Sequence, residues 1–168
     1  NGMFAFAIYD QLEKNLWLFR DRMGKKPLYY YVDSEIFVFA SEIKSILTHQ
    51  VDRSVNTNAL HQFLHLGYIP EPETAWSRIF TFPSGSYAIV NPDLQISFRS
   101  YWTLNNLRVD SVAQDPIEEL KGLLTNSISE RLNSDVPLGT FLSGGTDSSL
   151  ITAIALQLTT ERLKTFSI

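Results

Sequence analysis

Two apolar runs open the chain, Met3 to Asp10 and Leu16 to Arg20, and the stretch Gln11 to Asn15 between them predicts a hairpin with a polar turn. A Gly24-Lys25-Lys26-Pro27 turn leads to Leu28-Tyr29-Tyr30-Tyr31, and Val32 to Glu35 leads to Ile36 to Ala40. Short strands at this spacing predict an antiparallel sheet. Ser41 is placed to cap a short helix over Glu42 to Leu47. A second helix fits Thr57 to Leu66, with Leu60, Phe63 and Leu64 on one apolar face and Gly67 as its stop. Tyr68 to Pro72 is then extended or turned, because each proline disfavours helix in the residue before it. Strand spacing returns from Ile79 to Trp102, with turns at Pro83 to Ser86 and at Asn91 to Asp93.

From Thr103 to Gln114 the chain turns polar and loses its period, which predicts a domain boundary between residues 1–104 and 105–168. Beyond it, Asp115-Pro116-Ile117-Glu118 is a strong helix start: an acceptor at the cap, proline at the first helical position, and a glutamate placed to reach back. Ile117, Leu120, Leu124, Ile128 and Leu132 form an apolar stripe for packing. A strand ending at Phe141-Leu142, a Gly/Ser-rich loop, a helix over Leu150 to Leu158 and a strand at Thr165 to Ile168 follow. That order predicts a strand-loop-helix-strand unit of a parallel α/β sheet.

Composition removes several functions. With 44% hydrophobic and 12% aromatic residues, the chain is too apolar for a disordered segment. A net charge of -4 offers no broad surface for nucleic acid. The chain has no cysteine, so it holds no disulfide, thiolate metal site or thiol nucleophile. No apolar stretch is long enough for a membrane span, and a cytoplasmic location is the default expectation. Asn1-Gly2-Met3-Phe4 enters an apolar run at once and Lys164 to Ile168 stops inside one, which suggests a piece of something longer.

Ser143-Gly144-Gly145-Thr146-Asp147-Ser148-Ser149 is the most informative stretch. Between a strand and a helix, its backbone N–H groups and the positive helix end converge where an anion is stabilised. Glycines allow close backbone approach, and hydroxyls add donors without charge. Asp147 does not suit a direct phosphate contact but suits a magnesium ion that accompanies phosphate oxygens. Other anion loops fit less well. No lysine follows the glycines as a Walker loop requires, Phe141 stands where a nucleophile elbow needs glycine, and the three-glycine Rossmann spacing is missing. A tight loop in which Asp147 and Ser148 merely cap the next helix explains one or two of the seven residues.

Ser-Gly-Gly-X-Asp-Ser-Ser after a strand is similar to the pyrophosphate loop of the ATP-pyrophosphatase enzymes. Further motifs are Gly2 to Ala7, Arg20-Asp21-Arg22-Met23-Gly24-Lys25-Lys26-Pro27-Leu28-Tyr29-Tyr30, Phe39 to Lys44, Gly67-Tyr68-Ile69-Pro70 and Ser134 to Gly139. In this order they resemble glutamine-hydrolysing asparagine synthetase through nearly the whole chain. The resemblance implies the C-terminal part of a class II glutamine amidotransferase β-sandwich of the N-terminal-nucleophile fold over 1–104. Over 105–168 it implies the start of an ATP-pyrophosphatase domain. It implies ATP, magnesium, aspartate and glutamine as small-molecule ligands, a β-aspartyl-AMP intermediate and an ammonia tunnel, and it allows a homodimer.

Carried over by position, Ser143, Gly144, Gly145, Asp147, Ser148 and Ser149 match the pyrophosphate loop, with Asp147 at magnesium. Phe141 and Ile168 match contacts to adenosine, although as apolar strand-end residues they are also natural core positions. The family's cysteine nucleophile and glutamine-binding segments have no counterpart here, nor does its downstream Ser-Gly-Glu-Gly loop. The 168-residue chain alone is therefore expected neither to hydrolyse glutamine nor to make asparagine. Related acceptors are a β-lactam-type synthetase or another amidotransferase, and a non-catalytic nucleotide-binding module is the alternative of a different class.

Three other groups have plainer explanations. Arg20-Asp21-Arg22 with Lys25 and Lys26 reads as a structural turn rather than an anion site. His61 and His65 have metal-ligand spacing but no third ligand, so a partly exposed packing role is expected. Tyr29 to Tyr31, Trp17, Trp76 and Trp102 suit sheet and interface packing better than base stacking.

Overall fold

In β1 (Ala5–Asp10) and β2 (Asn15–Arg20) side chains alternate between two faces, and the antiparallel register sets Phe6 opposite Phe19 and Ile8 opposite Trp17. The computed structural model describes residues 2–106, 114–160 and 162–167. The chain divides into two units, Asn1–Arg108 and Val109–Ile168. Most of the stretch expected to carry a domain boundary, 107–113, lies outside the described residues.

In the first unit, β3 (Tyr29–Val32) pairs with β4 (Phe37–Ala40) and β5 (Ile79–Thr81), while β6 (Ser86–Val90) and β7 (Ile96–Ser100) extend the β1–β2 hairpin. The short strands thus form two antiparallel sheets, ordered β1-β2-β6-β7 and β4-β3-β5, in keeping with the β-sandwich that the resemblance implies. Leu18, Ala88 and Val90 of the first sheet meet Leu28 and Phe82 at the second, with Tyr30 and Phe37 packed against them. Tyr31, one residue on, faces the other way and is buried with Ile46 and Ile79 beside α1 (Ile43–Ile46). Alternation along one strand therefore serves two cores. On the outer face of the first sheet Phe6, Phe19, Tyr87 and Trp17 stack, with centroid separations of 4.8, 5.6 and 5.9 Å along the row.

Helix α1 is capped at Glu42, without a side-chain hydrogen bond, and not at Ser41. The helix is one turn long, begins two residues after Ser41, and is held by the burial of Ile46. Helix α2 spans Thr57–Leu66 as its pattern predicts, with the Asn56 side-chain Oδ1 accepting from the Ala59 N–H at 3.1 Å and Gly67 closing the helix at φ 78°. Its apolar face is open, however: Leu60, Phe63 and Leu64 are exposed, and only Ala59 is buried. Asn56→Ala should cost about 1 kcal/mol in urea unfolding of the full chain, whereas Asn56→Ser should cost only a few tenths. Equal stability of the alanine variant would show that the cap contributes nothing net.

In the second unit, α3 (Pro116–Ser129) starts at Asp115, whose carboxylate accepts from the N–H groups of Ile117 and Glu118 at 3.1 and 3.2 Å. Glu118, expected to reach back to the cap, instead accepts from Lys121 at 3.3 Å. Only the far half of the apolar stripe is packed. Ile128 is buried with Ile154 and Ala155 against Leu124, Leu132 and Leu163, while Ile117 and Leu120 are exposed. Strand β8 (Gly139–Phe141) runs parallel to β9 (Lys164–Phe166), and α4 (Thr146–Leu158) connects them. The fold is thus a two-sheet antiparallel unit followed by a parallel strand-loop-helix-strand unit. Among the described residues no helix is long and apolar enough to cross a membrane.

Candidate functional site

The Gly/Ser-rich stretch is shorter as a loop than its composition suggests, because α4 starts at Thr146 and not at Leu150. Its first turn is polar, so no apolar period announces it. The turn is stabilised locally: the Ser149 N–H donates to the Gly145 carbonyl at 3.1 Å, and the Ser148 hydroxyl reaches the same carbonyl at 3.1 Å. Ser143 to Gly145 remain as the connection from β8. At its start, the Leu142 N–H donates to the Phe166 carbonyl at 2.8 Å and the Ser167 hydroxyl donates to the Leu142 carbonyl at 2.6 Å.

The cap of α4 is Gly145, in extended backbone, which has no side chain to accept from the first N–H groups of the helix. The simple capping role for Asp147 and Ser148 is thereby excluded, since both lie inside the helix. What remains is a helix N-terminus whose donors face outward, where the peptide dipoles favour negative charge. Gly144 takes φ 80°, and a Cβ built there would meet no atom within 4 Å. That glycine is required by backbone conformation, not by crowding. Gly145, at φ -77°, uses no conformation closed to other residues. The Ser143 and Ser148 hydroxyls lie 3.1 Å apart across the mouth of the loop.

Ser143, Gly144, Gly145, Asp147, Ser148 and Ser149 are thus brought together at one end of α4. One carboxylate beside several hydroxyls is a hard, all-oxygen donor set. It fits magnesium if phosphate oxygens complete the shell, and Asp147 is the residue that would hold the ion. Three-ligand protein clusters for a metal are absent among the described residues, including at His61 and His65, where the His65 ring nitrogen instead meets the His61 carbonyl at 2.9 Å.

Phe141 corrects the core assignment made from its strand-end position. It is 78% exposed, and its ring sits 6.4 Å from that of the half-exposed Phe166. The two strands end side by side at Phe141 and Phe166, so both rings stand at the same edge as the loop. Ile168 lies outside the described residues.

The Arg20-Asp21 turn is structural, as expected. Asp21 is buried and accepts from the N–H groups of Phe4, Met23, Lys25 and Lys26 at 2.9 to 3.2 Å. Burial raises its carboxyl, but these four donors outweigh that effect and hold it below the ordinary aspartate value. Arg20, also buried, donates to the carbonyls of Lys26, Gly24 and Phe82 and to Glu71 at 3.0 Å. Its guanidinium is therefore occupied by fixed acceptors and is not free for an anion. The partner Glu71, fifty-one residues away, carries no signal in the sequence.

These two units match two family models. The glutamine amidotransferase domain model matches residues 1–102, and the chain belongs to that family. An asparagine synthase model matches residues 119–168. The chain is 36% identical over 167 residues to asparagine synthetase [glutamine-hydrolyzing] 1 of Bacillus subtilis, covering 99% of this chain and 26% of that protein. It is 37% identical over 173 residues to a Methanocaldococcus jannaschii protein provisionally named asparagine synthetase [glutamine-hydrolyzing] 2, covering 100% of this chain and 34% of that one. It is also 30% identical over 161 residues to the amidase chry2 of Gibberella zeae, covering 94% and 24%. Beyond that family, the second model and the first two relatives make the chain similar to the glutamine-hydrolysing asparagine synthetases. The chain spans about a quarter to a third of the length of these relatives.

Proposed function

We propose that this chain is part of an ATP-dependent asparagine synthetase that takes nitrogen from glutamine, adenylates aspartate and transfers ammonia to it. In this reading residues 1–104 belong to the glutaminase domain and 105–168 to the synthetase domain. The carrying observation is the start of α4: no side-chain cap, open space over Gly144, and Asp147 in the first turn. Such a cradle suits the β- and γ-phosphates of ATP, with Asp147 and phosphate oxygens holding magnesium.

Magnesium, when bound, neutralises charge on the phosphates. Backbone N–H groups at Gly144 to Ser148 and the Ser149 hydroxyl, joined by the Ser143 and Ser148 hydroxyls when these turn from each other and from the Gly145 carbonyl, stabilise the charge that grows on the leaving pyrophosphate. An aspartate carboxylate oxygen attacks the α-phosphorus, the bond from that phosphorus to the bridging oxygen breaks, and pyrophosphate departs with the electron pair. Ammonia then attacks the acyl carbon and AMP leaves. Phe141 offers an exposed aromatic surface for the adenosine part, and Ile168 is proposed as a second contact there. With no cysteine and no counterpart of the family's Ser-Gly-Glu-Gly loop among its 168 residues, the chain by itself is proposed to turn over neither glutamine nor aspartate.

A second acceptor is favoured by one observation, the likeness to the amidase chry2 at 30% identity. Pyrophosphate release by the complete protein of which this chain is a part, with ATP, magnesium, glutamine and a panel of carboxylates, separates the readings. Release dependent on aspartate is expected. Release only with another carboxylate supports the other acceptor, and ATP binding without release under any condition supports a non-catalytic module.

A further inference from the structure

The mouth of the loop is tied to the sheet by a hydrogen-bonded chain that none of the loop residues explains. Thr152 is buried in α4, one turn beyond Ser148, and its hydroxyl lies 2.8 Å from the Ser148 carbonyl and 3.1 Å from the Thr140 hydroxyl on β8. With one hydrogen to give, Thr152 donates to the carbonyl, a pure acceptor, and is met by the Thr140 hydroxyl. Ser148 continues the chain through its own hydroxyl to the Gly145 carbonyl and to Ser143. The chain Thr140, Thr152, Ser148, Gly145 and Ser143 therefore spans the base of the strand-to-helix crossing.

We infer that Thr140 and Thr152 are positioning residues that fix the first turn of α4 against β8 and so set the aim of the donors at the loop. A threonine hydroxyl on the carbonyl four residues back tilts that carbonyl outward and bends the helix locally. Here the carbonyl belongs to Ser148, so the hydrogen bond acts on the first turn. The cross-link to Thr140 ties that turn to a strand whose next-but-one residue begins the connection to Ser143. A donor set of this kind loses most of its value when it is loosely held, because the donors must then be ordered by the ligand itself. A threonine buried only to satisfy itself would need the carbonyl alone. The second hydroxyl, on a different element, is what makes the pair a clamp.

This inference rests on the pyrophosphate reading of the loop, and the test separates the two. In the full chain, Thr152→Val and Thr140→Val remove one hydroxyl each at nearly constant shape, and Thr152→Ser retains it. Each valine variant should bind magnesium-ATP and magnesium-pyrophosphate about tenfold more weakly, the change expected for one lost buried hydrogen bond. AMP affinity should be unchanged, the serine variant should be close to wild type, and the double variant should lose little more than either single one. If Asp147→Ala weakens pyrophosphate binding while both valine variants keep wild-type affinity, the clamp is wrong and the loop reading stands. Equal weakening of AMP and ATP, or failure of serine to restore affinity, makes the pair a folding element only and overturns the inference. If Asp147→Ala itself changes nothing, the loop reading fails and takes the clamp with it. Should Thr152→Val not fold, Thr140→Val, on the half-buried strand side, carries the same comparison.

Discussion

Asp21→Ala should destabilise the amino-terminal unit by about 4 kcal/mol or more, since four backbone donors lose a charged, buried acceptor, each such bond contributing roughly 1 kcal/mol or above. The donors come from Phe4 at the edge of β1 and from Met23, Lys25 and Lys26 in the turn after β2. Losing the carboxylate thus frees a strand end and a turn together. The Asp21 backbone adds to the node, with its N–H donating to Phe4 and its carbonyl accepting from Gly24 and Gly85. Asp21→Asn, which retains one acceptor oxygen, should fall between wild type and alanine.

The same carboxylate gives a pH signature. Its folded-state pKa lies below the usual value, so the fold favours the ionised form. The stabilisation is complete above the unfolded value of about 3.9 and is lost as pH falls through the lower folded value. The stability gap between wild type and Asp21→Asn, measured by denaturant unfolding, should therefore be constant from about pH 7 to 5 and shrink below about pH 4. A gap that widens on acidification would contradict the assignment.

In the complete protein that carries this chain, Asp147→Ala should lower aspartate-dependent pyrophosphate formation by two orders of magnitude or more, roughly the loss seen when a charge-stabilising group is removed from a phosphoryl or acyl centre. The reasoning is positional. Asp147 lies in the first turn of α4, caps nothing, and is exposed, so its removal costs the fold little. An unchanged melting temperature alongside the lost rate would separate chemistry from folding. Gly144→Val is a complementary variant. No neighbour occupies the space over Gly144, so its side chain should enter the proposed phosphate cradle, at a strain of about 1 kcal/mol for a branched residue at φ 80°.

Local signals were legible wherever one short stretch carried its own physics. The β1–β2 hairpin, the Thr57–Leu66 helix with its Gly67 stop, and the Asp115-Pro116 helix start all follow from period and capping chemistry. Long-range facts were not legible. That Tyr30 and Tyr31 serve different cores depends on strands being dealt to two sheets, which spacing alone does not encode. Arg20 finds Glu71 across the fold, and Thr152 finds Thr140 across a strand-helix crossing, through contacts that no period marks. The early start of α4 was hidden because its first turn is built of Thr, Asp and Ser, residues equally at home in a loop. The open faces of Leu60, Phe63 and Leu64 on α2 and of Ile117 and Leu120 on α3 show the converse, since a helical stripe predicts a face but not what covers it.

The Ser143 to Ser149 cradle is proposed to hold the pyrophosphate portion of ATP with magnesium at Asp147. Equilibrium titration of the full chain with magnesium-pyrophosphate, for wild type and Asp147→Ala, tests it most directly. Saturable binding that competes with ATP and that weakens at least tenfold in the variant is expected. Identical affinity of the two proteins, or pyrophosphate binding that leaves ATP affinity untouched, would contradict it.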